Sequence, residues 1–365
     1  MNKQASQSKY DVVVIGAGMG GLTAGALLAK EGKRVLVVEQ EILPGGYIRE
    51  FAEGPYKINP AIHSIMGCSS AGPFGHGVIK EVLTHLDVED CCQFIAIDPI
   101  YRAQFPDFQL DVPSGREAYL EAHTRHFPNE ADGLRDLVDL SSEIYREFMR
   151  FPSVLRWQDW LMMPFRSPKM FRNATSTLKA AIDRYLTDQD LKSVYAVLYP
   201  YLALPPSRVS FLLWAVMMAS FVEEGAFYCV GGFQGLAGAL AEGLTKHGGE
   251  LVLETRVSEI RADGGRVQGI DLENGQEIAA PVVISNIDAW TTFGELLESG
   301  KVRARYLRKL KEMEPSASLL GLSLATDLDV HALGIPKVTM FSSWDLEEAD
   351  TVTGKERVER GGVHI

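Results

Sequence analysis

The sequence predicts an α/β fold, a doubly wound parallel sheet into which a second, α+β domain is inserted. Three observations lead there. A β-branched run at residues 11–15 is followed by a glycine-rich turn, a helical pattern over residues 20–31 and a second apolar strand over 33–39, which together read as a βαβ opening. Residues 115–222 are then mostly helical in pattern, broken by prolines at 128, 152, 164, 168, 200, 205 and 206. Beyond them a helix over 233–247 leads back into short strands at 250–254, 257–261, Arg266–Leu272 and 281–285. This return to strands after a helical excursion divides the chain into a discontinuous domain of residues 1–80 and 225–300 and a second domain of 81–224 and 301–365. Residues 92–97, 101–105 and 108–112, joined by Asp-Pro and Pro-Asp turns, read as an antiparallel meander of the second domain.

Composition narrows the function classes. Of 365 residues, 46% are hydrophobic and 23% charged, the values of a globular chain with a sizeable core rather than a disordered, collagen-like or disulfide-stapled one. Asp and Glu total 48 against 36 Lys and Arg, a formal charge of −12, which lacks the basic footprint of nucleic-acid binding. The four cysteines, Cys68, Cys91, Cys92 and Cys229, show no CxxC spacing and read as reduced thiols of a cytoplasmic-type compartment, with no metal site. Residues 1–10 are polar, so no secretory signal is expected. The longest apolar run, residues 209–222, falls short of the roughly 20 needed to span a bilayer, so it reads as a buried or interfacial helix.

The sharpest motif is Gly16-Ala17-Gly18-Met19-Gly20-Gly21, directly after the strand Val12–Ile15. It fits GxGxxG in its strand–turn–helix setting. Gly16 permits the tight turn, Gly18 lets a diphosphate approach the backbone, and Gly21 lets the helix pack closely on the strand, while the positive end of the helix dipole favours the anion. Glu39, with Gln40 after it, ends the second strand where a carboxylate accepts ribose hydroxyls and repels a 2′-phosphate. A glycine turn without ligand is the plainer reading of the motif alone; both strands, the helix and Glu39 favour a dinucleotide. The fingerprint does not choose between NAD and FAD. Pro44-Gly45-Gly46-Tyr47 adds a second glycine pair, suited either to an ordinary turn or to backbone lying along an extended cofactor.

Residues 11–49 resemble the opening of the FAD-dependent amine oxidase and phytoene desaturase superfamily. Further pieces are similar to its branch of phytoene desaturases, carotenoid isomerases and retinol saturase: Tyr56-Lys57-Ile58-Asn59-Pro60-Ala61-Ile62-His63-Ser64-Ile65, Gly225-Ala226-Phe227-Tyr228, Gly231-Gly232-Phe233-Gln234-Gly235-Leu236, Gly248-Gly249-Glu250, Arg256-Val257-Ser258-Glu259-Ile260 and Val283-Ile284-Ser285-Asn286-Ile287-Asp288. The resemblance covers most of the chain and implies a Rossmann-like FAD-binding domain with an inserted substrate domain. It further implies that Gly45, Gly46 and Tyr47 lie along FAD, that main-chain groups of Val257 meet the adenine edge, that Asn286 lies near the cofactor and that His63 faces the flavin. Val257 as an ordinary strand residue, His63 as a structural residue and either Asn286 or Asp288 as a helix cap are the alternatives that the residues themselves leave open.

The resemblance implies a hydrophobic polyene substrate, a carotenoid or retinoid, desaturated, saturated or isomerised through hydride exchange with flavin N5; no catalytic acid or base is assigned. Residues 195–222 would then line an apolar tunnel, or simply form core. Residues 149–172 interleave aromatic side chains with five basic ones against a single acid, Asp159, and read either as a peripheral membrane contact or as a helical cover of the substrate domain. Relatives continue into a C-terminal glycine-rich turn and helix over the flavin ring, whereas this sequence stops at Gly361-Gly362-Val363-His364-Ile365, so an incomplete flavin end is expected. A flavin amine oxidase acting on a polar substrate, and a non-catalytic FAD-binding remnant, are the competing functions.

Overall fold

The computed structural model describes residues 4–70, 77–105, 108–152, 154, 156–298, 300–313, 321–329, 332 and 340–341. The last residues of the sequence, 361–365, lie outside the described residues, as does most of the chain beyond 313.

The βαβ opening forms as expected: strand Val12–Ile15, helix Met19–Lys30 and strand Val35–Val38. A four-stranded parallel sheet runs in the order Val282–Ser285, Val12–Ile15, Val35–Val38, Glu250–Val252. Both central strands are buried at every position, as strands covered on both faces are. The period of two sends alternate residues to opposite cores. Val12, Val14, Val35 and Val37 meet Leu22, Ala26, Leu240 and Leu244 from helices Met19–Lys30 and Gln234–Lys246. Val13, Ile15, Leu36 and Val38 meet Val257, Ile260, Ile270 and Ile278 of a three-stranded antiparallel sheet, Val257–Asp263, Arg266–Leu272 and Glu277–Ala279. The parallel sheet is thus wound by helices on one side and by a small sheet on the other.

The core beneath the helices reaches past residue 80. Leu83 of helix Val78–His85, with Leu86 and Val88, packs against it, and Lys30 pairs with Asp87 at 2.8 Å. The intervening part has its own core, in which helices Arg116–His126, Ala131–Met149, Leu178–Tyr185, Gln189–Ala196 and Phe211–Glu224 surround the hairpin Tyr101–Gln104/Gln109–Val112. The backbone of Met340–Phe341 adds to that hairpin in parallel.

The expected meander is corrected in one strand. Phe94–Ile97 does not join Tyr101–Gln104; it pairs antiparallel with Ala226–Cys229, in register from Phe94↔Cys229 to Ile97↔Ala226. The partner lies over 120 residues away, and Pro99, lacking an N–H, follows the strand, so nothing local continues the ladder. Pro164 is a second departure, since it sits inside helix Trp157–Arg166 instead of ending one. It stands two residues from the C-terminus, where the one carbonyl it leaves without a donor is at the surface. The run 209–222 becomes the core helix Phe211–Glu224, with Phe211, Trp214 and Ala215 fully enclosed. Within residues 195–222, Tyr195, Val209, Phe211, Trp214 and Met218 belong to the buried core, and the cavity beside Tyr195 and Met218 is about 10 Å³, room for a single water. Among the described residues no helix is long and apolar enough to cross a membrane.

Two predictions test this packing. A Cβ at Gly21 would stand 2.0 Å from the Gly16 carbonyl oxygen, so Gly21→Ala must push the fingerprint helix off its strand. Overpacking of this kind costs about 1–3 kcal/mol, and the ligand-free melting midpoint should fall by about 5 °C by circular dichroism; an unchanged midpoint contradicts the close packing. His123 is wholly buried, its Nδ1 2.7 Å from the Tyr119 carbonyl and its Nε2 without a partner. Burial depresses its pKa from 6.5 to about 4. The unfolded imidazole therefore takes up its proton first, and the stability that the neutral ring contributes is complete above pH 6.5 and lost as pH falls towards 4. In urea titrations across that window, His123→Leu should show a shallower loss of stability than the parent chain.

Candidate functional site

The fingerprint turn is built from backbone. Strand Val12–Ile15 ends at Gly16, whose φ of +92° is one that side-chain-bearing residues rarely adopt, and whose N–H donates to the Val38 carbonyl at 2.8 Å. Gly18, in extended conformation, caps the helix without a side-chain hydrogen bond. A Cβ on Gly20 would come 2.9 Å from Asn286 Nδ2. The Gly21 amide, one of the helix's first donors, gives its hydrogen bond to Asn286 Oδ1 at 2.8 Å. Gly18 and Met19 are half-exposed and Gly20 is exposed, so the mouth of the turn opens outward.

Glu39 closes one side. Its carboxylate is buried; Oε2 accepts the Ala17 N–H at 2.8 Å and Oε1 the Glu41 N–H at 3.0 Å. Each oxygen has a second lone pair, so the group retains capacity for two further donors. The main chain of Glu39 accepts from the Thr255 amide at 3.0 Å, which brings the start of strand Val257–Asp263 alongside. Val257 itself is buried and pairs with Leu272, two residues beyond that contact. Gln40 is exposed.

The second glycine pair lies directly on the first. Gly45 donates to the Ala17 carbonyl at 2.8 Å and forms an isolated parallel bridge with Gly18. A Cβ on Gly46 would stand 3.2 Å from Gly18 Cα. The φ values of +132° at Gly45 and +58° at Gly46 make this turn glycine's. Tyr47, next to it, is 91% exposed. Gln234 holds the loop from the far side: its Nε2 donates to the Pro44 carbonyl at 2.9 Å and its Oε1 accepts the Glu50 amide at 3.2 Å. Arg49 pairs with Glu41. Neither Gln234 nor the Thr255 contact is marked out in the sequence as a site feature; a glutamine opening a helix after Gly231-Gly232 is the one local signal.

Of the two residues at the last parallel strand, Asp288 is the cap. It accepts the Thr291 amide at 2.8 Å, and hydrogen bonding from the Thr291 side chain, then from this amide, keeps its carboxyl below the usual range. Asn286 instead reaches the fingerprint. His63 is exposed, in the loop whose Ile65 exchanges backbone hydrogen bonds of 2.9 and 2.8 Å with Phe227, and no hydrogen bond to either glycine loop is seen among the described residues. The same loop sets Asn59 against the other glycine pair: a Cβ on Gly232 would come 2.8 Å from Asn59 Oδ1, a buried acceptor with no partner. The structure thus joins Gly16, Ala17, Gly18, Gly20, Gly21, Glu39, Gly45, Gly46 and Asn286 into one cluster, sets Val257 beside it, and leaves Gln40, Tyr47 and His63 at the surface. Among the described residues there is no cluster of metal-ligating groups, and the four cysteines are free thiols.

The chain is similar to known proteins in sequence and in fold. All-trans-retinol 13,14-reductase of Rattus norvegicus is 29% identical over 357 residues, an alignment spanning 93% of this chain and 57% of that protein. Prolycopene isomerase 2 of an Oncidium hybrid cultivar is 26% identical, over 90% of this chain and 58% of its own. The 4,4′-diapophytoene desaturase of Methylomonas sp is 24% identical, over 89% and 64%. The chain therefore spans somewhat more than half the length of these curated relatives. Among solved structures, an oxidoreductase from Methanosarcina mazei superposes with a TM-score of 0.58 at 19% identity, over 84% of this chain and 66% of its own. Cyclohexylamine oxidase from Brevibacterium oxydans gives 0.53 at 19%, over 83% and 63%. These two speak for the fold alone. The family model described as flavin containing amine oxidoreductase matches residues 19–320, most of the chain, and the protein belongs to that family.

Proposed function

We propose that this chain carries the nucleotide-binding domain and the inserted domain of an FAD-dependent oxidoreductase acting on carbon–carbon single or double bonds of a hydrophobic polyene such as a carotenoid or retinoid. The observation that carries the reading is the side-chain-free cradle of Gly16, Gly18, Gly45 and Gly46 beside the half-satisfied carboxylate of Glu39. Retinol, prolycopene and 4,4′-diapophytoene, named for three relatives, are all hydrophobic polyenes.

The residues fit the adenylate and diphosphate part of FAD. Backbone without Cβ atoms lets the diphosphate approach the helix N-terminus, whose partial positive charge favours it. Glu39, held in place by Ala17 and Glu41, would accept from the adenosine ribose hydroxyls and exclude a 2′-phosphate. Asn286 would keep the last parallel strand against the turn, and Val257 would offer main-chain groups to the adenine edge. Bound FAD supplies the hydride exchange of the reaction. The chain's own part is to bind, orient and dehydrate.

Two experiments test this. Purified chain titrated with FAD by calorimetry should bind and turn yellow, and Glu39→Gln, which keeps the Ala17 bond but loses the charge, should weaken binding about 10- to 100-fold, the value of one or two charge-assisted hydrogen bonds. The ligand-free melting midpoint of the variant serves as the folding control, and equal affinities would remove Glu39 from the site. Full-length protein loaded with FAD should change the number or geometry of double bonds in carotenoids or retinoids, followed by chromatography with absorbance spectra. Oxidation of amines with polyenes untouched would overturn the substrate class and leave the FAD result standing.

A further inference from the structure

We infer that helix Trp157–Arg166 is an interfacial anchor that lies in the headgroup boundary of an anionic lipid bilayer. The inference goes beyond the oxidoreductase reading and holds whether or not FAD is bound.

The apolar residues Trp157, Trp160, Leu161, Pro164 and Phe165 recur at the spacing of a single helix face. In a helix of a globular domain that face turns inward. Helix Ala131–Met149 does so, burying Leu134, Leu137, Val138, Ile144 and Tyr145. Helix Trp157–Arg166 does the reverse. None of its residues is buried, and the stripe points outward, with Trp157 69%, Trp160 60%, Leu161 65% and Phe165 78% exposed. Met163 fastens the helix from behind by packing on the core, while Asp159 caps the helix's own N-terminus by accepting the Arg156 amide at 2.8 Å. Exposed Phe148, Val154 and Phe171 continue the apolar surface in the flanking sequence. Left in water, four large apolar side chains are an unfavourable surface that calls for an occupant.

Charge identifies that occupant. Residues 149–172 hold Arg150, Arg156, Arg166, Lys169 and Arg172 against Asp159 alone, inside a chain of net charge −12. Arg166 is engaged by Asp159 at 3.1 Å and Lys169 by Glu143 at 2.8 Å; Glu147, the other nearby acid, is taken up by the amides of Lys169 and Met170. Arg150, Arg156 and Arg172 pair with no carboxylate among the described residues. Aromatic and aliphatic faces backed by free guanidinium groups match a bilayer interface, acyl chains below and lipid phosphates above. A second copy fits poorly, because a symmetric contact through this face would set the same arginines against one another. The helix is about 15 Å long, half a hydrocarbon core, so it lies on the bilayer rather than through it.

The test uses the chain with vesicles of phosphatidylcholine alone and of phosphatidylcholine mixed with phosphatidylglycerol. Flotation should recover the protein with the anionic vesicles, and lipids brominated on their acyl chains should quench its tryptophan fluorescence. Trp160→Ala with Phe165→Ala should weaken binding about tenfold or more, since both side chains are exposed and their loss leaves the core intact. A second variant, Arg150→Glu with Arg156→Glu and Arg172→Glu, should lose the preference for anionic vesicles while retaining the apolar stripe. Absence of binding to either vesicle overturns the inference, as does equal binding by the Trp160/Phe165 variant. A lipid-free, concentration-dependent dimer that this variant abolishes overturns it in favour of a protein partner.

Discussion

The close approach of two backbone loops governs the candidate site. Gly18 and Gly45 bridge, Gly46 leans on Gly18 Cα, and Ala17 links the pair by accepting from Gly45 and donating to Glu39. The positive φ of Gly45 and Gly46, with only 3.2 Å between a Cβ on Gly46 and Gly18 Cα, makes this approach one for glycine, so these residues serve geometry as much as ligand. The same constraint runs inward through Gly21, whose missing side chain lets the helix meet the turn, and through Gly25, where a Cβ would touch Val37 at 2.8 Å. A helix end held this near its strand keeps backbone without Cβ atoms at the outward-opening mouth, where Asn286 already accepts the Gly21 amide, and main chain at a helix N-terminus favours an anion.

The cradle rests on a sheet that serves two cores at once. Alternate residues of the two central strands send valines and leucines to opposite sides, one faced by helices and one by the small antiparallel sheet. That second sheet is joined to Glu39 through Thr255 and to the fingerprint through the neighbouring strand that carries Asn286. Parts of the site separated by more than two hundred residues are therefore held by one rigid layer, while the inserted helices keep a core of their own.

What was legible in the sequence follows the range of the forces concerned. The βαβ opening, the glycine turn and Glu39 are local features, readable because strand and helix periods differ and because few residues tolerate positive φ. The pairing of Phe94–Ile97 with Ala226–Cys229 is not legible, because it leaves no trace in the sequence between them. The role of Gln234 is hidden for a like reason, being set by the loop at Pro44 and Glu50. The stripe of residues 157–165 was visible as a period, but periodicity gives the existence of an apolar face and not its direction, which only the packing of Met163 decides. Val257 and Asn286 are marked out by family likeness, and neither stands out by residue type alone.

The bond from Asn286 to the Gly21 amide spans 265 positions of the chain. In the order of synthesis the fingerprint helix emerges early and waits for its lateral partner until the whole insertion has been made. The edge strand Val282–Ser285 thus joins the sheet through contacts of long sequence separation, whose loop-closure entropy has to be met before they stabilise anything.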